Sequence, residues 1–352
     1  MIGALPARFR QPRVGLIGFG DIGRRILSQR VAAVAKTTGG ILPMRLICVA
    51  RGLAQLSSKE ILSEDPVLLG RDFKARRSLA ARQILLFGWN LDDRTTCQRL
   101  AGIVTHWIAL FPPAEVGSGQ RPHHPSAVYA DARSKRLAAA IRSRITVHPR
   151  GPRSVYISTT GVYGNHHGAF IDETSLCKTQ QPRSLRRLDA ERLWRGIGAH
   201  RLRVPGITAE DKLPVDRIRA GASVLRPEDD VYTNHIHADD LARICWAALW
   251  RGRPGRVTNT VCEESMPMGD YYDAVADAAG VGRPPRLSRA DYMAAVARGE
   301  ISTMTASFMQ DSRRVQSARL ANELRMSLRY PTIGHVINSR FSPACGRRPI
   351  KH

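Results

Sequence analysis

Long apolar runs and paired cysteines are both absent from this sequence. No uninterrupted apolar stretch approaches the ~20 residues that a membrane-spanning helix requires, so we expect no membrane partner. The six cysteines are scattered without a Cys-x-x-Cys pair, which argues against a zinc ribbon and a disulfide framework and favours a reducing compartment. Residues 1–12 also lack the apolar segment of a secretory signal, and we therefore predict a cytoplasmic protein.

Lysine is rare as well. Seven lysines stand beside 47 arginines, and the 352-residue chain has a formal net charge of +24 at pH 7. Such a charge is typical of proteins that bind nucleic acid. The arginines are nevertheless spread along the whole sequence, and a bias for arginine over lysine also follows from GC-rich codon usage. We therefore predict a preference for anionic ligands such as phosphates, with nucleic acid as a partner that is not favoured.

Short apolar runs alternate with helical patterns along the chain. Five runs have the length of buried parallel strands, at residues 13–17, 45–50, 84–87, 104–111 and 154–157, and a sixth strand is predicted near 201–204. Helical patterns follow at 130–141, after Pro182, and at 239–250, 270–279 and 288–298. This alternation predicts an α/β fold with a doubly wound, mostly parallel Rossmann sheet.

The order of these segments also suggests a domain organisation. We predict a dinucleotide-binding lobe over residues 12–205, completed by 235–260, a smaller helix-rich substrate lobe over 206–234 and 262–335, and a loose C-terminal tail over 336–352. The interval Gly198–Val204 is short for a loop and a full strand. Either the strand is truncated or the region has been shortened there.

A glycine-rich turn joins the first predicted strand to the first predicted helix. Its residues are Gly18, Phe19, Gly20, Asp21, Ile22 and Gly23, in a Gly-x-Gly-x-x-Gly pattern. In a strand–turn–helix context the first glycine permits the sharp turn, the second lets the backbone approach a pyrophosphate, and the third lets helix and strand pack closely. The helix N-terminus adds unpaired N–H groups and a positive dipole. The pattern predicts dinucleotide binding at these six residues.

The residue after the second strand is expected to select the cofactor. An acidic residue there accepts hydrogen bonds from the ribose hydroxyls of NAD, but this chain has Arg51 at that position. Because a guanidinium suits a 2′-phosphate, we predict NADP, with NAD as the alternative.

Four segments together resemble a known superfamily. Gly18–Gly23, Tyr156–Gly164, Arg203–Gly206 and His235–Ala242 occur in the order found in the extended and atypical short-chain dehydrogenases/reductases, in their NAD-dependent epimerase/dehydratase-like branch. The resemblance covers roughly residues 12 to 330. It implies NAD(P)-dependent oxidoreduction, epimerisation or dehydration of a small hydroxyl or carbonyl compound such as a nucleotide sugar. It is also compatible with a homodimer formed through helices that flank the sheet.

The resemblance assigns roles to individual residues. Thr159 matches the catalytic hydroxyl, Asp92 lies in the region that contacts adenine, Phe111 and Pro112 match the strand edge near the cofactor, and Pro205 matches the segment that lines the nicotinamide side. The segment His237–Asp240 looks like a buried packing and hydrogen-bonding motif.

The chain departs from the family at the catalytic Tyr/Lys pair. Arg183 and Arg187 stand at those two positions, and arginine is too basic to act as a general base. It can still orient an anion or stabilise an oxyanion. The pattern resembles an atypical subgroup that has lost the pair. Tyr163 is then a candidate catalytic residue, and other nearby proton donors are His166, His167, Asp172 and Glu173.

Three further interpretations follow from the same residues. His235 and His237 would share one side of a strand, as metal ligands do, but no third ligand is evident and we expect no metal. A cofactor-sensing regulatory protein would keep the glycine turn and lose catalysis. An RNA-binding protein on the same scaffold would show its arginines clustered on one face.

Overall fold

The computed structural model describes residues 11–37, 44–55, 83–114, 129–144 and 153–341. Its strands are β1 (Arg13–Ile17), β2 (Arg45–Val49), β3 (Ile84–Phe87), β4 (His106–Ala109), β5 (Arg153–Thr159), β6 (Phe170–Ile171), β7 (His200–Val204), β8 (Gly206–Thr208), β9 (Val224–Leu225), β10 (Tyr232–Thr233), β11 (His235–His237), β12 (Val257–Asn259), β13 (Met266–Pro267), β14 (Arg286–Leu287) and β15 (Arg314–Val315). Its α-helices are α1 (Asp21–Thr37), α2 (Arg94–Ile103), α3 (Ala132–Arg142), α4 (Pro182–Arg195), α5 (Val215–Arg219), α6 (Ala238–Arg251), α7 (Met268–Ala279), α8 (Arg289–Ala297), α9 (Thr303–Phe308) and α10 (Ile333–Phe341).

A seven-stranded sheet organises the first of two compact units, which comprises residues 1–159, 181–203 and 241–258. The strand order is β12-β7-β5-β4-β1-β2-β3, and the β1–β2, β1–β4, β2–β3 and β4–β5 pairs are parallel. The chain runs outward from β1 on one side and from β4 on the other, so the order reverses between these two strands. Ligands bind at such a reversal in doubly wound sheets. The predicted α/β class and Rossmann sheet are confirmed.

The central strands are buried on both faces, as the apolar runs in the sequence predict. Val14, Leu16 and Ile17 of β1 are 0% exposed, and so are Leu46 and Cys48 of β2. Strands covered on both faces read as continuous apolar segments because neither face meets water.

Three helices cover one face of this sheet. α2, α3 and α4 lie on the same side, since their buried residues share one apolar cluster with the sheet, as right-handed β-α-β connections predict. Their buried side chains Leu100, Leu137 and Trp194 join Trp107 and Tyr156 of the sheet in one apolar cluster. The opposite sides of the three helices therefore point away from the core.

The second unit is rich in helices and comprises residues 160–180, 204–240 and 259–352. One of its apolar clusters joins Ile218 of α5, Tyr271 and Val275 of α7, and Val336 and Ile337 of α10. The unit takes in residues 160–180, which the sequence pattern places in the dinucleotide-binding lobe. No helix among the described residues has the length and apolar character needed to cross a membrane.

Two local features differ from the sequence prediction. The loose tail predicted from residue 336 is instead part of α10, where Val336 is 0% exposed and Ile337 is 6% exposed. These side chains bury one face of the helix, and that burial offsets the cost of ordering it. Residues 342–352 lie outside the described part of the chain.

The strand that the sequence suggested to be truncated is complete. β7 has five residues, and the turn before it is tight because Gly198 adopts a φ of 78°. Glycine tolerates this left-handed conformation, so the short interval still holds both a turn and a strand.

Candidate functional site

The first half of the glycine turn is fixed by the strands around it. The backbone N–H groups of Gly18 and Phe19 both donate to the carbonyl oxygen of Val49, at 2.9 and 3.0 Å. Gly18 has a φ of 90°, and a Cβ added there would lie 2.6 Å from the backbone nitrogen of Phe111. Both the conformation and the close contact require glycine at this position.

The second half of the turn combines one open glycine with one packed glycine. A Cβ on Gly20 would meet no atom within 4 Å, whereas a Cβ on Gly23 would lie 2.9 Å from the Phe19 ring. Gly20 is exposed, and α1 begins at the next residue, Asp21. An exposed backbone beside a helix N-terminus can accept an anion, since the first N–H groups of a helix have no partner within it. Ile22 is half-buried in the first turn of α1.

Arg51 and Asp92 lie near each other after β2 and β3. Arg51 is exposed and opens a short 3₁₀ segment immediately after β2. The Asp92 carboxylate receives two hydrogen bonds from Arg133, at 3.0 and 2.8 Å. The pKa of Asp92 is lowered chiefly by these bonds, and the Arg51 charge adds to the effect. Asp92 is therefore an ionised carboxylate held by α3. Sequence reasoning did not identify Arg133.

The end of β4 lies directly against the glycine turn. Phe111 is 3% exposed, its backbone faces Gly18, and its ring lies 6.3 Å from that of Trp194. The neighbouring Pro112 is exposed, and its carbonyl oxygen accepts a hydrogen bond from Arg133 at 3.1 Å. Phe111 and Pro112 therefore follow the end of β4, and their contact with a cofactor stays a prediction.

The two arginines that the sequence resemblance places at the Tyr/Lys positions have different surroundings. Arg187 donates from one nitrogen to the carbonyl oxygens of Phe111 and Ile157, at 3.2 and 2.9 Å, and to the Tyr156 hydroxyl at 3.0 Å. It thus places a permanent cation at the carboxyl ends of β4 and β5. Arg183 is exposed near the start of α4.

Thr159 lies at the same edge of the sheet. It is the last residue of β5 and is half-buried. The first unit therefore gathers the glycine turn, Arg51, Asp92, Phe111, Thr159 and Arg187 at the carboxyl ends of its strands. Tyr163 and Pro205 belong to the second unit.

Tyr163 is part of a buried polar network in that unit. Its side chain is 0% exposed, and its hydroxyl donates to the side-chain oxygen of Asn259 at 2.8 Å. The Asn259 backbone N–H donates to Glu173 at 3.0 Å, and Glu173 also accepts from Ser317 at 2.9 Å. This geometry supports a structural role for Tyr163 and Glu173. Pro205 lies between β7 and β8 and is half-buried.

The remaining candidate proton donors lie in the loop after Tyr163. Asp172 accepts hydrogen bonds from the backbone and hydroxyl of Thr174, at 2.8 and 2.6 Å, which lower the pKa of its carboxyl. Partial burial lowers the pKa of His166, whose ring contacts the carbonyl oxygen of Leu176. His167 is exposed with a φ of 50°.

The segment His237–Asp240 is buried and hydrogen-bonded, as expected. The His237 ring is 0% exposed and stacks on Tyr330 with centroids 3.7 Å apart, and its Nε2 lies 3.4 Å from Glu210. The contact with His237 holds the pKa of Glu210 at about 2. Asp240 accepts from the backbone nitrogens of Arg329 and Tyr330, at 2.8 and 2.9 Å. The motif therefore anchors the C-terminal part of the chain.

We expect His235 to make folding sensitive to mild acid. Burial against Tyr271 lowers its pKa from 6.5 to about 4, so the unfolded chain binds more protons between these values and stability falls as the pH falls through this range. A shift of this size removes about 2.5 kcal/mol from the free energy of unfolding between about pH 7.5 and 4.5. We expect His235→Phe to lose that contribution in urea unfolding at the two pH values, and the exposed His335→Gln to retain it. If His235→Phe and the wild type lost the same free energy of unfolding between the two pH values, the assignment to His235 would be contradicted.

A buried ion cluster lies behind the end of β5 and was missed by sequence reasoning. Glu191 of α4 is 2% exposed and accepts from Arg203 at 3.1 and 2.9 Å, from Arg201 at 3.4 Å, and from the Ser158 hydroxyl at 2.6 Å. It connects α4 to β5 and β7 directly beside Thr159. Among the residues that the structure describes, no three His, Cys, Asp or Glu side chains converge as metal ligands would.

Comparisons with known proteins identify the fold. No protein-family model and no curated protein sequence matches the chain. Among solved structures, a conserved protein of unknown function from Silicibacter pomeroyi is 23% identical over 94% of this chain and 98% of its own, with a TM-score of 0.63. UDP-glucuronic acid 4-epimerase from Bacillus cereus, solved with NAD, is 15% identical over 95% and 98%, with a TM-score of 0.61. dTDP-glucose 4,6-dehydratase from Bacillus anthracis, also solved with NAD, is 12% identical over 94% of both chains, with a TM-score of 0.62.

Two of these three proteins are enzymes of the epimerase/dehydratase kind that the sequence motifs resemble. At these identities the likeness concerns the fold alone. The chain shares the Rossmann-type fold of nucleotide-sugar epimerases and dehydratases along nearly its whole length.

Proposed function

We propose that the first unit binds a nicotinamide dinucleotide on the Gly18–Gly23 turn. The observation that carries this proposal is the open space at Gly20, where the exposed backbone meets the N-terminus of α1 while Gly18 and Gly23 are tightly packed. A turn without a ligand would need glycine only at the two packed positions. The NAD bound by the epimerase and the dehydratase of the same fold supports the assignment.

The second part of the proposal concerns the reaction. We assign the chain to NAD(P)-dependent oxidoreduction, epimerisation or dehydration of a small hydroxyl or carbonyl compound, with nucleotide sugars as the substrate class because the comparison enzymes act on them. The nicotinamide, when bound, accepts or supplies a hydride. Thr159 would hydrogen-bond the reacting oxygen from the end of β5. Arg187 supplies a fixed positive charge at the same edge, where it can stabilise an oxyanion.

Cofactor selection is assigned to Arg51. Its guanidinium is exposed after β2, and the nearby Asp92 carboxylate is already held by Arg133. An exposed guanidinium at this position can bind a 2′-phosphate, which favours NADP over NAD.

A second candidate is a protein that binds the dinucleotide without turning over a substrate. The observation that favours it is how two candidate catalytic residues are bonded: Arg187 donates to two carbonyl oxygens, and Tyr163 donates its buried hydroxyl to Asn259. Such a protein would sense the level or the redox state of the cofactor.

Calorimetric titration with NADPH and NADH tests the cofactor site. We expect NADPH to bind the wild type more tightly than NADH. Gly20→Asp should abolish binding of both, because a carboxylate would occupy the open space and repel the pyrophosphate. Arg51→Ala should weaken NADPH binding about tenfold and leave NADH binding unchanged, which corresponds to the loss of one charge-assisted contact.

Measurements of folding and of enzymatic turnover complete this experiment. Circular dichroism should show nearly the same melting temperature for Gly20→Asp as for the wild type, since a Cβ added at this position meets no atom within 4 Å. If a well-folded wild type bound neither NADPH nor NADH in the titration, the proposal would be overturned. Tight binding combined with no oxidation, epimerisation or dehydration across a panel of nucleotide sugars would favour the sensor.

A further inference from the structure

The outer sides of α2, α3 and α4 form one strongly basic surface. All three helices pack on the same side of the sheet, with their apolar residues turned toward a shared core. Eight cations of these helices are exposed. Arg136 lies 4.0 Å from Asp92 and Arg183 lies near the start of α4. The other six define the three-helix face: Arg94 and Arg99 of α2, Lys135 and Arg142 of α3, and Arg192 and Arg195 of α4. The side chain of Arg142 reaches Gly196 at the end of α4, which places the cations of the two helices side by side.

The three helices supply few acids to balance these cations. α2 and α3 contain no Asp or Glu, and the two acids of α4 are engaged elsewhere, since Glu191 is buried against Arg203 and Asp189 accepts from the Asp131 backbone. Within the described part of the chain, none of the six forms a salt bridge.

Two carboxylates stand at the border of this surface, just before α2. Asp92 is neutralised by Arg133, and Asp93 caps the helix by accepting from Thr95 and Thr96. Asp93 is exposed and keeps its negative charge, since the cap hydrogen bonds and Arg99 lower its pKa. Because the six cations outnumber it, the face is predominantly positive. Surfaces of ordinary proteins mix the two signs, because an unbalanced cluster of like charges opposes folding.

From this surface we infer that the three-helix face binds the phosphate backbone of a nucleic acid. α3 is about 16 Å long, and three adjacent helices span about 20 Å. A duplex of that length carries about twelve phosphate charges, so six cations can neutralise a substantial part of them. Five of the six are arginines, whose guanidinium groups bind phosphate oxygens in pairs.

The same observations disfavour two other occupants. In a symmetric dimer the face would meet its own copy, and cation would oppose cation. A membrane surface is less suitable because the large apolar side chains exposed in the described residues, such as Met293, Met304 and Phe308, lie outside these three helices. The inference is independent of the proposed cofactor site.

Fluorescence anisotropy of labelled nucleic acids provides the test. The probes are a fluorescein-labelled oligouridylate of about 20 nucleotides and a duplex DNA of about 20 base pairs, titrated with the full-length protein between about 50 and 400 mM NaCl. The face variant is Arg99→Gln/Lys135→Gln/Arg195→Gln, which removes one cation from each helix. The matched control is Arg217→Gln/Arg219→Gln/Arg226→Gln, which removes three exposed cations from the second unit.

We expect the wild type to bind with a slope of log K against log salt of about −3 to −5. The face variant should bind at least about tenfold more weakly near 100 mM salt, and its slope should be shallower by about 2. The affinity of the control variant should change by less than about threefold. Circular dichroism should show the fold of both variants intact.

Four results would overturn the inference. The wild type could bind neither probe at low salt, or both variants could lose affinity equally, as a diffuse charge effect requires. Sedimentation velocity could show a wild-type dimer that only the face variant dissociates, which would make the face a contact between copies. Vesicles of phosphatidylcholine and phosphatidylserine could retain the wild type while nucleic acid does not, which would make it a membrane contact.

Discussion

Glu191→Ala should lower the free energy of unfolding by about 3–5 kcal/mol, the usual cost of removing one partner from a buried ion pair. The carboxylate is 2% exposed and is the shared acceptor of Arg203, Arg201 and Ser158. Its loss would remove the carboxylate to which the guanidinium of Arg203, itself 6% exposed, donates at 3.1 and 2.9 Å. Urea unfolding at neutral pH, followed by circular dichroism, measures the effect.

An exposed ion pair gives the matched control. Glu300 also receives two hydrogen bonds from a single arginine, Arg298, at 2.6 and 3.0 Å, but both side chains are exposed. Glu300→Ala should change stability little, because water compensates an exposed charge. If the two variants were equally stable, burial of Glu191 would have no energetic consequence, and the network beside Thr159 would not hold β5 in place.

Gly18→Ala should lower the free energy of unfolding by about 3 kcal/mol, through the left-handed conformation and the clash that a Cβ would create. The added carbon would lie 2.6 Å from the backbone nitrogen of Phe111, and backbone cannot rotate away as a side chain can. The turn would have to separate from β4. Thermal and urea unfolding would show the loss.

Gly20→Ala provides the contrasting case two residues away. A methyl group there meets no protein atom within 4 Å, so stability should change by less than about 1 kcal/mol, the ordinary cost range for such a substitution. NADPH affinity should nevertheless fall at least tenfold, because the methyl group fills space that the proposed ligand needs. Unchanged affinity in a stable Gly20→Ala protein would show that nothing approaches the turn at this point.

The parts of the fold that sequence patterns predict depend on local information. A buried parallel strand is a short apolar run, so β1, β2 and β3 could be placed within a residue or so. β4 is shorter than predicted because Val104 still caps α2. The information that predicts the glycine turn is equally local. Three glycines at fixed spacing indicate where the backbone bends and where it remains exposed. α10 was missed although Ile333, Val336 and Ile337 have helical spacing.

The parts that could not be predicted depend on pairs of residues brought together by folding. Glu191 and Arg203 lie on different elements, and an acid among the arginines of an amphipathic helix has the pattern of an exposed residue. The same holds for Asp92 and Arg133. The sequence resemblance predicts a catalytic position for Arg187, but its hydrogen bonds to the carbonyl oxygens of Phe111 and Ile157 are visible only in the structure.

The distribution of charge is an intermediate case. Arginines occur throughout the sequence, so their number alone indicates no binding surface. The absence of acids from α2 and α3 could be read from the sequence. That those two helices and α4 lie side by side depends on the strand order, because only right-handed connections back from β3 bring all three to one face.

The interleaving of the two units affects how the chain can be synthesised and folded. The backbone passes from one unit to the other five times, at residues 159, 180, 203, 240 and 258. The edge strand β12 can therefore join the sheet only after the ribosome has released residues up to Asn259. The second unit is complete only after α10 has been synthesised. Nascent chains of intermediate length would expose incomplete apolar surfaces, the condition in which chaperones are recruited.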